Sequence, residues 1–475
     1  MNKIKSKFTE KQLYLLAGLF FFFYSLAVGL LIQLYVTPEF FPQLTEYHNL
    51  VVFDSRGFDI IARIKAAQIN EFGWTAWELR PKDHSPAGIA SIFYAIFTDE
   101  PYSVLPYNAL VHALSGCIVL WLLLKYFSWL PAVVGSLVFV LNPTALEWVT
   151  QIHRDGLFVL GNLMLLMSLL ILSEWKNIDK DHNMLHSIIS GLVGVTLIWV
   201  TRPYWLPVFV IIIILWVVFS FIFICFNNIN IHNGTYKIIK VFALSIIILS
   251  QVYLLKPSEY IKTKVFPVIE KPDIVDPEVA KEDKTGIVVS DIVVDKPVMD
   301  KKRFLQKTYW INSRFFPNFI EFYFNRLYSV RLGVLSTGGH SLVDKEVPMN
   351  SMESYFAYLP RALQVGLFSP LPNLWSGEGS NPTYTIARKV MRILTPFFYI
   401  FLLGFLIMII KNKTNFELWV ITGFCLIGVL VFTYGYPNIG TLIRFRYAFH
   451  ALLMSLGMAQ IISMIVLWRE KKIFF

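Results

Sequence analysis

Ten apolar stretches dominate this chain, and each is close to the roughly 20 residues that a helix needs to cross the hydrocarbon core of a bilayer. Only a helix or a closed barrel satisfies its backbone hydrogen bonds there, and runs of this length favour helices. We therefore predict an all-α polytopic membrane protein with about ten spans. The runs are approximately 13–35, 105–125, 130–149, 156–173, 184–200, 204–226, 238–255, 391–410, 416–433 and 447–468.

The charge content excludes several classes of soluble protein. Only 16% of the 475 residues are charged, whereas a soluble domain has about 25%. The net charge of +10 could indicate nucleic acid, but the positions of the charges decide the matter. Most short-loop lysines lie at alternate ends of the spans, so the charge reflects membrane orientation and predicts no nucleic-acid partner.

The same lysines predict which way the chain faces, because cytoplasmic loops are enriched in Lys and Arg. Alternating spans place both termini and the short connections that carry lysines on one side, so we predict cytoplasmic termini in a membrane that we expect to be the bacterial inner membrane. These side chains are Lys3, Lys5, Lys7, Lys11, Lys125, Lys176, Lys180, Lys237, Lys240, Lys411, Lys413, Arg469, Lys471 and Lys472.

The long connections divide the chain into three parts. Residues 1–255 form an N-terminal transmembrane module with a first outer loop, 36–104, and residues 391–475 form the C-terminal helices. Between them, 256–390 is predicted to be an extracytoplasmic loop. Its charged, proline-rich part, 256–303, reads as a solvated linker with a small hairpin, and the aromatic 304–375 as helices on the membrane surface.

Ionisable residues at membrane depth are costly and therefore candidates for function. Asp54, in the first outer loop, and His84, before Pro86, each come just before a helical pattern. Taken alone, each is explained more simply by an ordinary helix start, with Asp54 or Ser85 as the cap.

Four arginines lie in short outer connections, where the charge rule would place none: Arg154, Arg202, Arg444 and Arg446. Arg154 belongs to the sequence His153-Arg154-Asp155, three consecutive titratable groups between two apolar helices. Snorkelling toward lipid headgroups, or a local Arg154–Asp155 pair, is the alternative explanation. Arg361, in the predicted surface helix, is a weaker member of the set.

Acids and arginines on one membrane face suit a reaction on a lipid that carries a phosphate. A carboxylate can accept a proton from a hydroxyl nucleophile. Guanidinium groups bind phosphate with a planar fork of donors and stabilise its developing charge.

The pattern resembles the GT-C class of polytopic glycosyltransferases, such as protein O-mannosyltransferases and aminoarabinose transferases. The sequence Asp54-Ser55-x-x-Phe58-x-x-x-Ala62 is similar to the acidic motif of their first outer loop, with Phe58 where Tyr is common. His84-Ser-Pro86, the stretch from Asn142-Pro143 to Arg154-Asp155, and Arg444-Phe-Arg446 are similar to later motifs.

The resemblance implies an inverting transfer of a sugar from a polyprenyl-phosphate carrier to a glycan, lipid or protein acceptor on the extracytoplasmic face. Asp54 would be the general base, and Asp155, the second acidic residue of the catalytic set, would bind the sugar or the acceptor. The substrates would be bound by His84, His153, Arg154, Arg202, Arg361, Arg444 and Arg446. The resemblance leaves open whether a divalent cation, Mg²⁺ or Mn²⁺, takes part; Asp54 and Asp155 would be its ligands.

Two other functions stay open on sequence alone. An O-antigen polymerase or ligase acting on undecaprenyl-diphosphate glycans would depend on loop residues, here Arg361 and His340, more than on Asp54. A transporter of lipid-linked glycans is disfavoured, because charges inside the spans are nearly absent and the two halves do not repeat.

Overall fold

The computed structural model describes residues 9–173, 182–226, 231–255, 310–336, 341–375 and 382–473, and in these ranges the chain is helical without a β-strand. The all-α prediction is therefore confirmed. The helices are α1 (Glu10–Leu31), α2 (Thr37–Phe40), α3 (Phe53–Phe72), α4 (Ser85–Ile96), α5 (Leu105–Tyr126), α6 (Trp129–Val140), α7 (Pro143–Val149), α8 (Asp155–Ser173), α9 (His182–Thr201), α10 (Leu206–Phe226), α11 (Ile231–Leu254), α12 (Asn318–Ser336), α13 (Met352–Phe368), α14 (Pro382–Lys411), α15 (Phe416–Gly435), α16 (Ile439–Phe445) and α17 (Tyr447–Ile473).

Nine helical stretches of the described chain are long and apolar enough to cross a membrane. They correspond to nine of the ten predicted runs. The polytopic membrane fold predicted from the sequence is therefore confirmed, with small shifts at the ends of the spans.

The tenth predicted run, 130–149, differs from a continuous helix. It is a pair of helices, α6 and α7, bent by 56°. The side chain of Asn142 caps α7 by accepting from the Thr144 backbone N–H, and Pro143 follows at the first helical position. Because proline has no N–H to donate, the chain ends one helix there and starts another.

A close contact between α8 and α9 brings two predicted site residues together. A Cβ built on Gly161 would lie 3.0 Å from the carbonyl oxygen of Gly194, and one on Gly194 would lie 2.8 Å from that of Gly161. Glycine at both positions allows the two backbones to approach. The antiparallel pair thereby places Arg202, at the end of α9, beside Asp155, at the start of α8.

The segment after residue 309 packs on the C-terminal spans. Tyr328 of α12 and Tyr355 of α13 share a buried cluster with Tyr434 of α15, and Leu342 makes an isolated antiparallel bridge to Asn438. The predicted surface helix is α13, and it runs through Pro360. The linker and hairpin predicted at 256–303, and His340, lie outside the described residues.

Candidate active site

Asp155 is the centre of a buried polar cluster. It lies in the first turn of α8, where the helix dipole favours a carboxylate. Oδ1 accepts a hydrogen bond from Arg202, and Oδ2 lies 3.2 Å from Arg444 Nε and 3.0 Å from His153 Nδ1. Only 3% of the Asp155 side chain is exposed. Its partners are Arg202 and Arg444, and the described residues show no ion pair between Arg154 and Asp155.

Arg444, in α16, connects three acids. Besides Asp155, its guanidinium lies 3.4 Å from Glu147 Oε1 and 3.7 Å from Asp54 Oδ2. Burial alone would lower the pKa of Arg444, but the three carboxylates raise it, so the side chain stays charged. Residues far apart in the sequence therefore meet at one end of the helices.

Asp54 is the most accessible of the three acids that contact Arg444. It lies in the first turn of α3, and 43% of its side chain is exposed. The cap position of α3 is occupied by Val52, without a side-chain hydrogen bond. The helix-cap explanation of Asp54 is therefore wrong, and its carboxylate faces Arg444 and solvent instead.

Phe58 lies one turn after Asp54 and contacts three predicted substrate-binding residues. Its ring centre is 5.2 Å from that of His84, 6.3 Å from that of His153 and 5.5 Å from the Arg154 guanidinium carbon. Burial and the charge of Arg154 lower the pKa of His84, which favours a neutral imidazole at pH 7.

His84 and Ser85 lie at the start of α4 as predicted, but His84 occupies the cap position and the helix begins at Ser85 without a side-chain cap. Pro86 lies in the first turn, where its missing N–H costs no helical hydrogen bond. The helix start is therefore confirmed, and Ser85 as its cap is wrong.

A cleft beside the cluster is lined by both polar and apolar side chains. His153 and Arg154 lie at this cleft, which is a narrow one. Arg154 is half-buried and makes no hydrogen bond or ion pair with a described side chain. The remaining lining residues are Ser85, Pro86, Ile89, Val104, Tyr107, Asn108, Ile152, Leu157 and Thr201.

Arg202 is fully buried and held on several sides. Its guanidinium lies 3.9 Å from the ring centre of Phe445 and 4.7 Å from that of Phe158. Together with the bond to Asp155, these contacts leave it no exposure to solvent. Snorkelling to lipid headgroups is therefore wrong for this residue.

Two predicted site arginines lie elsewhere. Arg446 is buried and donates to the backbone carbonyls of Val365, Gly366 and Ser369 at the end of α13. Arg361 pairs with Asp344, with Nε 2.9 Å from Oδ2 and Nη2 3.0 Å from Oδ1. Neither belongs to the Asp155 cluster.

The residues do not fit a divalent cation held by Asp54 and Asp155. The Arg444 guanidinium contacts both carboxylates and supplies the positive charge that a cation would supply. No group of three or more His, Cys, Asp or Glu side chains with metal-binding geometry occurs in the part of the chain that the structure describes.

Two acids of this region were not among the predicted site residues. Glu147 lies in α7, and a carboxylate within an apolar run of 20 residues is itself a signal of function. Asp59 is buried in α3 and contacts the Tyr94 hydroxyl at 2.5 Å, Arg63 Nε at 3.0 Å and His48 Nδ1 at 3.0 Å. These bonds fix the helix that carries Asp54.

Comparison with known proteins gives one distant likeness. No family model and no curated protein matches the chain. Among solved structures it is similar to the archaeal oligosaccharyltransferase AglB from Archaeoglobus fulgidus, in complex with an inhibitory peptide and a dolichol-phosphate. The identity is 13% and the TM-score 0.47, over 96% of this chain and 52% of that one, so this chain spans about half its length.

Proposed function

We propose that this chain is an integral membrane glycosyltransferase that moves a sugar from a polyprenyl-phosphate carrier to an acceptor hydroxyl. The observation that carries the proposal is the Arg444 cluster, in which one arginine contacts three acids and Asp54 is the most exposed of them, at 43% against 35% for Glu147 and 3% for Asp155. An acid–arginine set with an accessible carboxylate suits proton abstraction next to a departing anion.

In the proposed step, the acceptor oxygen attacks the anomeric carbon of the sugar while its proton passes to Asp54. The bond between that carbon and the phosphate oxygen breaks, and the phosphate leaves with the electron pair. Attack opposite the leaving group inverts the anomeric centre. Asp155 orients Arg444 and Arg202. Because only 3% of its side chain is exposed, it is not accessible to the acceptor.

Arg154 is the arginine best suited to the leaving phosphate. It is half-buried at the cleft, and its guanidinium is not engaged by a described carboxylate, unlike those of Arg202 and Arg444. An engaged arginine gives up an existing bond when it binds phosphate, whereas Arg154 does not. The imidazole rings of His84 and His153, which both contact Phe58, would form hydrogen bonds with the sugar hydroxyls.

The orientation predicted from the lysines would place this cluster on the extracytoplasmic side. There it would meet a carrier in the outer leaflet and an acceptor glycan, lipid or protein.

The test is transfer from a polyprenyl-phosphate sugar by the full chain reconstituted in vesicles, with Asp54→Asn against wild type. We expect a loss of roughly 10²- to 10⁴-fold, the range for a general base. Asp99→Asn is the matched control, because Asp99 is also an exposed acid, 55%, paired with an arginine, Arg63. Wild-type activity in Asp54→Asn would overturn the proposal.

A further inference from the structure

A second groove lies outside the active site, on α12 and the residues before it. It has about 190 Å³ of water-accessible space. No residue of the mechanism above lies in it. Its lining is Trp310, Asn312, Asn318, Glu321, Phe322 and Asn325.

The spacing along α12 places four of these side chains on one helix face. Asn318, Glu321, Phe322 and Asn325 follow the i, i+3, i+4, i+7 pattern of a single stripe. The stripe has an amide at each end and an aromatic ring between them, and its one acid, Glu321, is buried. This face therefore offers polar groups without an accessible net charge.

Glu321 fixes the wall of the groove. It is 3% exposed, and its Oε2 accepts from the Trp310 indole N–H at 3.2 Å while its Oε1 accepts from the Ser313 backbone N–H at 2.5 Å. The Trp310 ring also lies 6.2 Å from the ring centres of Tyr328 and Tyr355. The indole is therefore held in one orientation.

The three asparagines are exposed, and none of their side-chain amides makes a hydrogen bond to another described residue. Each amide has two donor hydrogens and an acceptor oxygen. Adjacent hydroxyls of a pyranose offer the complementary set, and an aromatic ring packs against the C–H face of a sugar. We propose that this groove binds a neutral sugar unit of the acceptor.

Aromatic contacts connect the groove to the active site. From Trp310 they pass to Tyr355 and then to Tyr434, whose ring centre is 4.9 Å from that of Tyr355. Tyr434 is the penultimate residue of α15, and two residues later the ring centre of Tyr436 lies 4.7 Å from that of Phe445. Phe445 is the ring on which Arg202 lies. An acceptor glycan bound in the groove would thus lie on the side of the molecule that carries Asp54.

This inference deepens the proposed transferase by naming its acceptor as a glycan, and sugar binding can be measured without transfer. The full chain in lipid nanodiscs, free of glycoside detergents, is titrated by calorimetry with maltotetraose, cellotetraose, mannotetraose and chitotetraose. We expect saturable binding of at least one. In Asn318→Ala/Asn325→Ala, the affinity should fall about tenfold, for two lost hydrogen bonds.

Ser329→Ala is the matched control, since Ser329 lies on the same helix and its hydroxyl bonds only to the Asn325 carbonyl. Both altered asparagines are exposed, so folding should be preserved. Asp54→Asn should bind the sugar like wild type, which separates this inference from the proposed reaction. Absence of binding by all four sugars, or equal binding by the double variant, would overturn it.

Discussion

The clusters around Asp344 and Asp155 both pair an acid with arginine, and they differ in how completely their acids are enclosed. Around Asp344, the oxygens accept from Arg361 and from the Tyr358 hydroxyl, 2.6 Å away. Around Asp155, by contrast, Arg444 reaches a second, accessible acid, Asp54. The first cluster is closed on itself, whereas the second leaves the Asp54 carboxylate 43% exposed.

The surroundings explain the difference. Asp344 has a left-handed backbone, with φ of 51°, in the loop between α12 and α13, and its bonds hold that loop against α13. Burial alone would raise the pKa of Asp344, but the hydrogen bonds from Arg361 and Tyr358 lower it, so the acid stays ionised as a brace. A bidentate pair of this kind fits a structural role, and the polymerase or ligase alternative would need Arg361 for substrate.

The largest expected loss of stability is in the Asp155 cluster, because its ion pair is the more deeply buried. Asp155→Asn leaves Arg202, with no exposed side-chain surface, without its carboxylate. Breaking a buried pair in this way should lower the free energy of unfolding by about 3–5 kcal/mol. Denaturant titration in mixed micelles measures it.

Asp155→Asn/Arg202→Met is the control, since removing both charges should recover part of the loss. A single variant as stable as wild type would show that the pair does not hold α8 and α9 together.

A smaller effect is expected on donor binding. The variant Arg154→Ala tests whether this arginine, beside the Asp155 cluster, binds the phosphate of the donor. Loss of one charged hydrogen-bonding partner of the phosphate should raise the KM for the polyprenyl-phosphate sugar roughly 10- to 100-fold. Arg154→Lys should recover part of it. A KM unchanged from wild type would move the phosphate to Arg202 or Arg444.

The smallest effect is expected in the closed cluster. Arg361 is 38% exposed, and a pair this accessible contributes about 1 kcal/mol or less. Arg361→Ala should therefore lower the free energy of unfolding by no more than this amount in the same denaturant titration. A loss as large as that of Asp155→Asn would remove the distinction between the clusters.

Much of the architecture could be predicted from the sequence, because apolar length alone determines which segments can span a bilayer. The bend between α6 and α7 was missed, although Asn142-Pro143 carries the capping signal. Asp54, Asp155, Arg202 and Arg444 were each identified as candidates by their cost at membrane depth.

The contacts that each of these side chains makes could not be predicted from the sequence. Arg444 and Arg446 are two residues apart and chemically identical, yet one contacts three acids and the other three backbone carbonyls. That division depends on where α13 ends against α17 and on how the α7–α8 connection folds. The same is true of Arg154. It is next to Asp155 in the sequence, yet it forms no ion pair with a described carboxylate.

The central claim is that the accessible acid of the open cluster performs the chemistry and the closed cluster does not. The most direct measurement is the initial rate of sugar transfer from a polyprenyl-phosphate donor by Asp54→Asn and Arg361→Ala in matched vesicles. We predict a loss of roughly 10²- to 10⁴-fold for Asp54→Asn and a rate close to wild type for Arg361→Ala. Full activity in Asp54→Asn together with loss in Arg361→Ala would contradict this account and favour the polymerase or ligase.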